Sequence, residues 1–164
     1  MPKEIIKKLK IPNLKKIKNK EDREEAKSEI AEYLEDTILS HVAKGKSPVS
    51  KKGNFKALKL GSDYRKLKKA EAGSTKPNLE FTGEMLDEFE VRETRDGVSF
   101  GFHSDSSEDS RNKADNHNKF SSKSKNTKVP ERRFIPTKKE NLKRNIMTDI
   151  NNIIKGYQDA SEDT

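Results

Sequence analysis

Apolar side chains recur every four residues in two stretches of this chain, and this period predicts two amphipathic helices. The first helix covers residues 20–43, and the second covers residues 138–156. Lys44-Gly45 predicts the end of the first helix, and Gly156 predicts the end of the second. The apolar stripes are Ala26, Ile30, Leu34, Ile38 and Val42 in the first helix, and Leu142, Ile146, Ile150, Ile153, Ile154 and Tyr157 in the second.

Between the two helices the period of the pattern changes from four to two, which predicts a β-hairpin. Asp96-Gly97 is a favourable two-residue turn for this hairpin. We expect the apolar face of the hairpin to cover the first helix, which gives an α+β fold with two long helices packed on a small antiparallel sheet. The alternating apolar residues are Phe89 and Val91 on one arm, and Val98, Phe100 and Phe102 on the other.

The remaining internal segments are polar and predict loops and short helices. Residues 44–61 form a loop rich in Lys, Gly and Ser, and residues 121–128 form a flexible basic loop. Phe55, Leu58 and Leu60 are expected to pin the first loop to the core. In chain order, the short helices cover residues 62–72 with Ser62 as a cap, the segment from Thr82 to Phe89, and residues 111–119.

Residues 1–20 are strongly basic, and we expect them to form an N-terminal arm. Ile5, Ile6 and Leu9 lie at helical spacing before Pro12 interrupts the pattern. Three interpretations are open: a helix on a membrane surface, a tail that touches DNA, and an arm that lies on an acidic neighbouring subunit. The apolar face is short for a membrane helix, which favours the arm. The chain then divides into this arm, one domain at residues 21–157 and a flexible tail at residues 158–164.

A short segment between two prolines, residues 129–136, precedes the second long helix and is called the strap below. Pro130 and Pro136 favour an extended backbone. Arg132 and Arg133 are followed by Phe134 and Ile135, so the strap combines a basic pair with an apolar anchor. Thr137-Lys138-Lys139-Glu140 fits a capping box and predicts that the second helix begins directly after the strap.

The composition predicts a thin hydrophobic core, because only 29% of the 164 residues are hydrophobic and 39% are charged. The chain has no cysteine, which excludes disulfides and thiolate metal sites. It also lacks the apolar run of a transmembrane span. The net charge of +8 is arranged in six blocks of alternating sign. This layout favours docking of positive patches on negative ones, within the protein or between copies. On charge alone, a solvated surface without a partner explains the alternating blocks equally well.

Candidate catalytic chemistry is sparse, and we expect neither an enzyme nor a bound metal or cofactor. His41, His103 and His117 are scattered and share no metal-ligand spacing. Asp115 beside His117 suggests an acid–base pair, but two polar residues in a polar segment are the simpler explanation. Gly45-Lys46-Ser47 lacks the first glycine of a phosphate loop and follows a helix instead of a strand.

The ordered set of motifs resembles the phage virion-morphogenesis and tail-completion proteins, which are small neck proteins of tailed phages. The resemblance spans roughly residues 22–157. Near the strap the family pattern is a proline or arginine, then an arginine, an aromatic residue and a further apolar residue, and Arg132-Arg133-Phe134-Ile135-Pro136 fits it. The other matching residues are 45–48, Phe55, Leu58, Tyr64, Lys68, Leu79, 82–86, 98–102, Lys113-Ala114 and His117-Asn118.

This resemblance implies a structural virion protein at the neck or tail end, located in the host cytoplasm during assembly. It implies a homo-oligomeric ring, commonly of six copies, between the portal or head-completion proteins and the tail tube or its terminator. Genomic double-stranded DNA would pass through the ring with transient, non-specific contacts, and no membrane is involved. The assembly candidates are Arg132, Arg133, Phe134, Ile135 and Pro136, and the candidates for a DNA-facing or partner-facing loop are Lys44, Lys46, Lys51 and Lys52.

A small basic nucleic-acid-binding protein is the alternative function. Residues 1–20 and 44–76 carry most of the positive charge that such a protein needs. The sequence contains no recognisable reader motif and no array of aromatic residues for base stacking, which favours the structural protein.

Overall fold

The computed structural model describes residues 4–53, 84–120 and 131–162, which form an α+β fold with a three-stranded antiparallel sheet. The predicted fold class is therefore confirmed. In chain order the elements are β1 (Ile5–Lys10), a 3-10 helix (Pro12–Lys16), α1 (Lys20–Ala43), α2 (Glu84–Asp87), β2 (Glu90–Glu93), β3 (Gly97–Phe102), α3 (Glu108–Asn118) and α4 (Arg144–Glu162). The predictions at Phe55, Leu58, Leu60, Ser62, Thr82 and residues 121–128 lie outside the described residues.

The predicted hairpin is present, and its second strand lies at the centre of the sheet in the order β1-β3-β2. Its turn lies one residue earlier than predicted, because the Thr94 N–H donates to the Gly97 carbonyl at 2.9 Å. Arg95 and Asp96 therefore occupy the turn. Gly97 instead lies where the backbone of β1 passes, since a Cβ at Gly97 would lie 1.9 Å from the Leu9 carbonyl oxygen.

The N-terminal segment is part of the core, so the predictions of helical spacing and of an arm on a neighbouring subunit are wrong for residues 5–17. β1 pairs with β3 along its full length, from Ile5 opposite Phe102 to Lys10 opposite Gly97. This pairing satisfies backbone groups that an extended arm would leave to solvent or to a partner. The N-terminal segment contributes the side chains of Ile5, Ile11, Leu14 and Ile17 to the core.

Helix α1 has the range that the sequence pattern predicts, and its five stripe residues are all fully buried. The Asn19 side chain accepts the Glu21 N–H at 2.8 Å and caps its start. At its end, Gly45 has a φ of 72°. The Gly45 N–H donates to the Val42 carbonyl at 2.9 Å and the Lys46 N–H to the His41 carbonyl at 2.8 Å, which is the Schellman motif.

Helix α4 begins at Arg144, six residues later than the capping box predicts. Thr137 and Glu140 form an isolated turn instead, in which the Glu140 N–H donates to the Thr137 carbonyl at 3.0 Å. The Lys7 ammonium donates hydrogen bonds to the carbonyl oxygens of Thr137, Lys138 and Glu140. A helix would need these oxygens as acceptors for its own backbone hydrogen bonds.

The C-terminal end of α4 also differs from prediction. Gly156 does not end the helix, which continues to Glu162, so the expected flexible tail is helical over residues 158–162. Ile146, Ile150 and Ile154 of the predicted stripe are buried, and Ile153 and Tyr157 are partly buried. The helix packs against α1 and the 3-10 helix. A glycine with open space around it is tolerated in a helix at a cost of about 1 kcal/mol, which the packed stripe outweighs.

Helix α3 begins at Glu108, three residues before the predicted start, because Ser107 is its cap. The Ser107 side chain accepts the Ser110 N–H at 3.2 Å. The Glu88 carboxylate accepts the Ser107 N–H at 2.9 Å and the Ser107 hydroxyl at 2.6 Å. These bonds from Ser107, with a further one from the Ser110 hydroxyl, lower the pKa of Glu88. They join α2 to the start of α3.

The core lies between one face of the sheet and the helices. Helix α1 packs against β2, β3 and α4, which agrees with the expectation that the hairpin covers the first long helix. Three rings, Phe89, Phe102 and Phe134, contact one another with centroids 6.1 to 6.4 Å apart. Because Phe134 belongs to the strap, this aromatic cluster attaches the strap to the hairpin.

Candidate functional site

The strap is held against the end of α3 by the side chain of Asn118, which is fully buried. The Asn118 Oδ1 accepts the backbone N–H of Phe134 at 2.8 Å and that of Ile135 at 3.0 Å. Its Nδ2 donates to the Ala114 carbonyl at 2.8 Å. One amide therefore satisfies two consecutive backbone donors of a segment that bends at Ile135 and belongs to no strand of the sheet.

Arg133 points into the same region and joins three segments of the chain. Its Nε donates to the Asn118 carbonyl at 2.9 Å, and its Nη1 donates to the Glu140 carboxylate at 2.8 Å. A further ion pair of 3.1 Å links Nη2 to Glu131. The guanidinium thus lies at the carboxyl end of α3, where the helix dipole favours a cation.

Arg132 and Arg133, two of the assembly candidates, therefore have little side-chain surface to offer to a neighbouring subunit. The Arg133 side chain is only 13% exposed, and its acidic partners belong to the same chain. Arg132 is 3% exposed, and its backbone N–H donates to the His117 carbonyl at 2.8 Å. Burial of both side chains follows from the anchoring of the strap on both sides of its centre by Asn118 and by the aromatic cluster.

Phe134, Ile135 and Pro136 are buried within the chain, so they act here as core anchors. Ile135 lies against the sheet, since a Cβ built at Gly101 would lie 3.1 Å from its Cδ1. Of the two roles expected for Phe134 and Ile135, core or interface, the described contacts are those of a core.

Lys7 and Glu140 complete a polar network beneath the strap. The Lys7 ammonium donates to the Thr137 carbonyl at 2.9 Å and to the Glu140 carbonyl at 2.7 Å. Burial lowers the pKa of Lys7, and the nearby Glu140 charge opposes this effect. Burial raises the pKa of Glu140, but bonds from Thr137 and Arg133 outweigh it and hold that pKa below its usual value.

The loop that follows α1, Gly45 to Gly53, is attached to the strap and to the segment before α4. The Ser47 hydroxyl donates to the Arg133 carbonyl at 2.5 Å. Val49 forms an antiparallel bridge with Leu142, and the Lys143 N–H donates to the Pro48 carbonyl at 2.8 Å. These contacts fix the course of a loop that the sequence describes only as polar.

The four candidate lysines of this loop do not behave alike. Lys44, Lys46 and Lys51 are exposed, and none of them has an ion pair among the described residues. Lys52 lies 3.4 Å from the Glu131 carboxylate and is partly covered. Lys51 has a φ of 68°, which is uncommon for a residue with a side chain.

A polar cleft of about 290 Å³ lies along the last turns of α1 beside this loop. The His41 Nδ1 lies 2.8 Å from the Thr37 carbonyl, so this nitrogen carries the proton and Nε2 is the acceptor in the neutral ring. The lining residues are Asp36, Thr37, Ser40, His41, Lys44 and Lys46. Cations and hydroxyls on this cleft suit an anionic ligand better than an apolar one.

The remaining histidines lie elsewhere. His103 is buried on the sheet, where its Nε2 lies 2.9 Å from the Ser99 hydroxyl, and its Nδ1 has no partner among the described residues. Burial lowers the pKa of His103, and the nearby Arg92 charge adds to this effect. Asp115 and His117 both belong to α3, and the Asp115 backbone carbonyl accepts the Lys119 N–H. Within residues 4–53, 84–120 and 131–162, no group of three or more His, Asp or Glu side chains could hold a metal ion.

The sequence does not reveal two organising side chains, namely Asn118, which bonds the strap, and Lys7, which bonds the turn directly after it. Asn118 was noted only as part of a motif, and its partners lie 16 and 17 residues further along the chain. Lys7 was counted as one charge in a basic block. None of the helices in the described part of the chain is long and apolar enough to cross a membrane.

Comparison with known proteins adds no relative: no protein-family model matches this chain, and neither a curated protein nor a solved structure shows significant similarity to it.

Proposed function

We propose that this protein is a structural component of the neck or tail end of a tailed-phage virion. It assembles as a homo-oligomeric ring between the portal or head-completion proteins and the tail tube, and DNA passes through the ring. In this proposal the protein is located in the virion and, during assembly, in the host cytoplasm.

The observation that supports this proposal is the convergence of motifs that are far apart in the sequence. Ser47 of the first loop bonds Arg133 of the strap at 2.5 Å, and Asn118 bonds Phe134 at 2.8 Å. Phe102 of the hairpin contacts Phe134 with a centroid distance of 6.1 Å. These residues are the ones on which the resemblance to tail-completion proteins rests, and their contacts give that set of motifs a common structural purpose.

A ring places two different patches of one chain in contact at every interface. Opposite charges on separate surfaces suit such an arrangement, and the described elements carry them. The exposed side of β1 and the 3-10 helix is basic, with Lys8, Lys10 and Lys16 exposed. The exposed side of α1 contributes acidic residues, such as Glu25 and Glu32, from a helix whose first turn is also acidic.

The proposal is tested by measuring the mass of the purified protein with light scattering after size-exclusion chromatography, and by proteomics of purified particles. We expect a ring, or a monomer that becomes a ring on its portal-side or tail-side partner, and a fixed copy number in particles. A protein that stays monomeric with its partners and is missing from particles would contradict the proposal.

A small nucleic-acid-binding protein is the second candidate function, and the exposed lysines Lys44, Lys46 and Lys51 favour it. The two functions differ in affinity and assembly. Tight duplex binding by a strict monomer, with an affinity that falls steeply with salt, would select the second candidate. Weak binding by an oligomer would select the virion protein.

A further inference from the structure

We infer that two separate segments of the chain form one cationic surface that binds the phosphates of duplex DNA. The surface consists of Lys44, Lys46 and Lys51 after α1, together with Lys143 and Arg144 at the start of α4. It is called the cationic surface below. The inference rests on the proposed function, in which the packaged genome is the source of the DNA. It adds which surface of the protein faces this DNA.

The first half of the surface is a loop with a fixed course. Its base is held by the Ser47 N–H, which donates to the Gly53 carbonyl at 3.1 Å, and by the Ser47 hydroxyl on the Arg133 carbonyl. The three lysines project from this fixed base and are exposed. A fixed base reduces the backbone entropy that is lost when a loop binds a ligand.

The second half is brought beside the first by the bridge between Val49 and Leu142. On either side of this bridge the Ser50 N–H donates to the Asn141 carbonyl and the Lys143 N–H to the Pro48 carbonyl, both at 2.8 Å. Leu142 is buried, whereas Arg144 is exposed and Lys143 is partly exposed. The sequence separates Pro48 from Lys143 by almost a hundred residues, and the bridge brings their backbones into hydrogen-bond contact.

The charge of this surface is not neutralised within the described part of the chain. None of its five cations has an ion pair there, while the nearby carboxylates Glu131 and Glu140 are engaged by Lys52 and Arg133. This pairing separates Lys52 from the candidate residues, because its charge is already matched. Asp36 is the acidic residue of the adjoining cleft.

The backbone at Lys51 gives an independent reason to assign a role to this loop. A φ of 68° is strained for a residue with a Cβ, and a glycine would adopt it at lower cost. Strained residues cluster at binding sites because the strain positions the side chain. Phosphodiester backbone is the partner that this surface fits, since the surface presents separated point charges and no aromatic side chain for stacking on bases.

The test compares two triple variants of equal charge by fluorescence anisotropy with a labelled duplex over a series of salt concentrations. The surface variant replaces Lys44, Lys46 and Lys51 with Gln, and the control variant replaces the exposed Lys18, Lys20 and Lys155 with Gln, which lie outside both the cationic surface and the proposed ring interface. Each lost phosphate contact lowers the salt slope by about 0.9, so we expect the surface variant to lose about 2.7 and the control variant much less. Lys143→Gln with Arg144→Gln is expected to lose about 1.8.

An equal loss in both triple variants would overturn the inference, because binding would then follow net charge and not this surface. Binding to anionic lipid vesicles in place of the duplex would overturn it as well. Light scattering on the same samples separates the two proposals. A ring whose DNA binding survives the surface variant removes this inference alone, and a protein that stays monomeric with its partners but loses DNA binding in the surface variant removes the ring alone.

Discussion

The side-chain oxygen of Asn118 accepts the backbone N–H of Phe134 at 2.8 Å, so the last residue of α3 anchors the centre of the strap. The same oxygen accepts the Ile135 N–H, and both apolar side chains are fully buried. The side-chain amide of Asn118 therefore fixes the position of the strap through hydrogen bonds, and the packing of the aromatic cluster stabilises the same position.

Replacing Asn118 with Ala should lower the free energy of unfolding by about 2–4 kcal/mol, because two buried N–H groups lose their acceptor. Urea denaturation followed by circular dichroism measures this change. Asn152→Ala, at an exposed position of α4, is the matched control and should change the stability by less than about 0.5 kcal/mol. Equal effects of the two substitutions would show that the Asn118 bonds contribute nothing specific.

Replacing Arg133 with Ala should destabilise the monomer by about 2–3 kcal/mol, since charge-assisted bonds to Asn118 and Glu140 are lost from a largely buried site. A double-mutant cycle with Glu140→Gln should give a coupling energy above about 0.5 kcal/mol. The exposed Arg144 is the control, and Arg144→Ala should have little effect on stability.

How far the sequence predicts this fold depends on whether the partners of a residue are local. The apolar stripe of α1 depends on residues spaced three to four apart, and the alternation of β3 depends on residues spaced two apart. Both patterns are local, so the sequence predicts both elements. The sequence does not predict β1, because Ile5, Ile6 and Leu9 fit a helix as well as a strand, and because Lys7 lies on a buried face. Its burial is possible since the turn at Thr137 supplies carbonyl acceptors, which no local pattern reveals.

The candidate site follows the same rule. The prolines predict an extended strap, although the chain bends at Ile135, and the anchoring role of Phe134 follows from its apolar character in a charged segment. The direction of Arg133 does not, because it depends on the Asn118 carbonyl and on the Glu140 carboxylate, which was expected to cap a helix. Lys143 and Arg144 joined the cationic surface through the bridge at Leu142, a contact with no sequence signature.

Replacing Lys7 with Met should loosen the turn at Thr137 to Glu140, because its carbonyl groups lose a common donor. We expect faster amide hydrogen exchange in this turn and in the strap, measured by mass spectrometry, and a loss of stability of about 1–3 kcal/mol. Lys8→Met, on the adjacent and exposed position of β1, is the matched control. Unchanged exchange in the Lys7 variant would mean that the ammonium does not hold the turn.

The buried His103 should make the protein less stable in mildly acidic solution. Burial lowers its folded-state pKa below 6.5, so the unfolded chain binds the proton more readily than the folded protein. Stability is then complete above pH 6.5 and falls as the pH drops from 6.5 toward the folded-state pKa. Arg92 opposes protonation, while Glu90, Glu4 and Asp105 partly offset it.

Thermal unfolding at pH 7 and at pH 5 checks this effect, and His103→Gln should reduce the difference between the two melting temperatures. His41→Gln, on the partly exposed face of α1, should leave that difference in place. A pH dependence that survives the removal of His103 would assign it to other groups.

Adding a methyl group at Gly101 should detach β1 from the sheet. A Cβ there would lie 2.2 Å from the Ile5 carbonyl oxygen, and the φ of 132° is one that residues with side chains rarely adopt. Gly101→Ala therefore combines a backbone clash with backbone strain, and we expect a loss of at least about 3 kcal/mol. Detachment exposes Lys7 and frees the backbone at Lys8 and Lys10 from the sheet, so limited trypsin digestion should cleave the variant within β1 before it cleaves α1. Gly156→Ala is the control, because open space surrounds that position and alanine favours a helix interior by about 1 kcal/mol. If the Gly101→Ala variant resists trypsin as the wild-type protein does, the pairing of β1 with β3 does not depend on the absence of a side chain at Gly101.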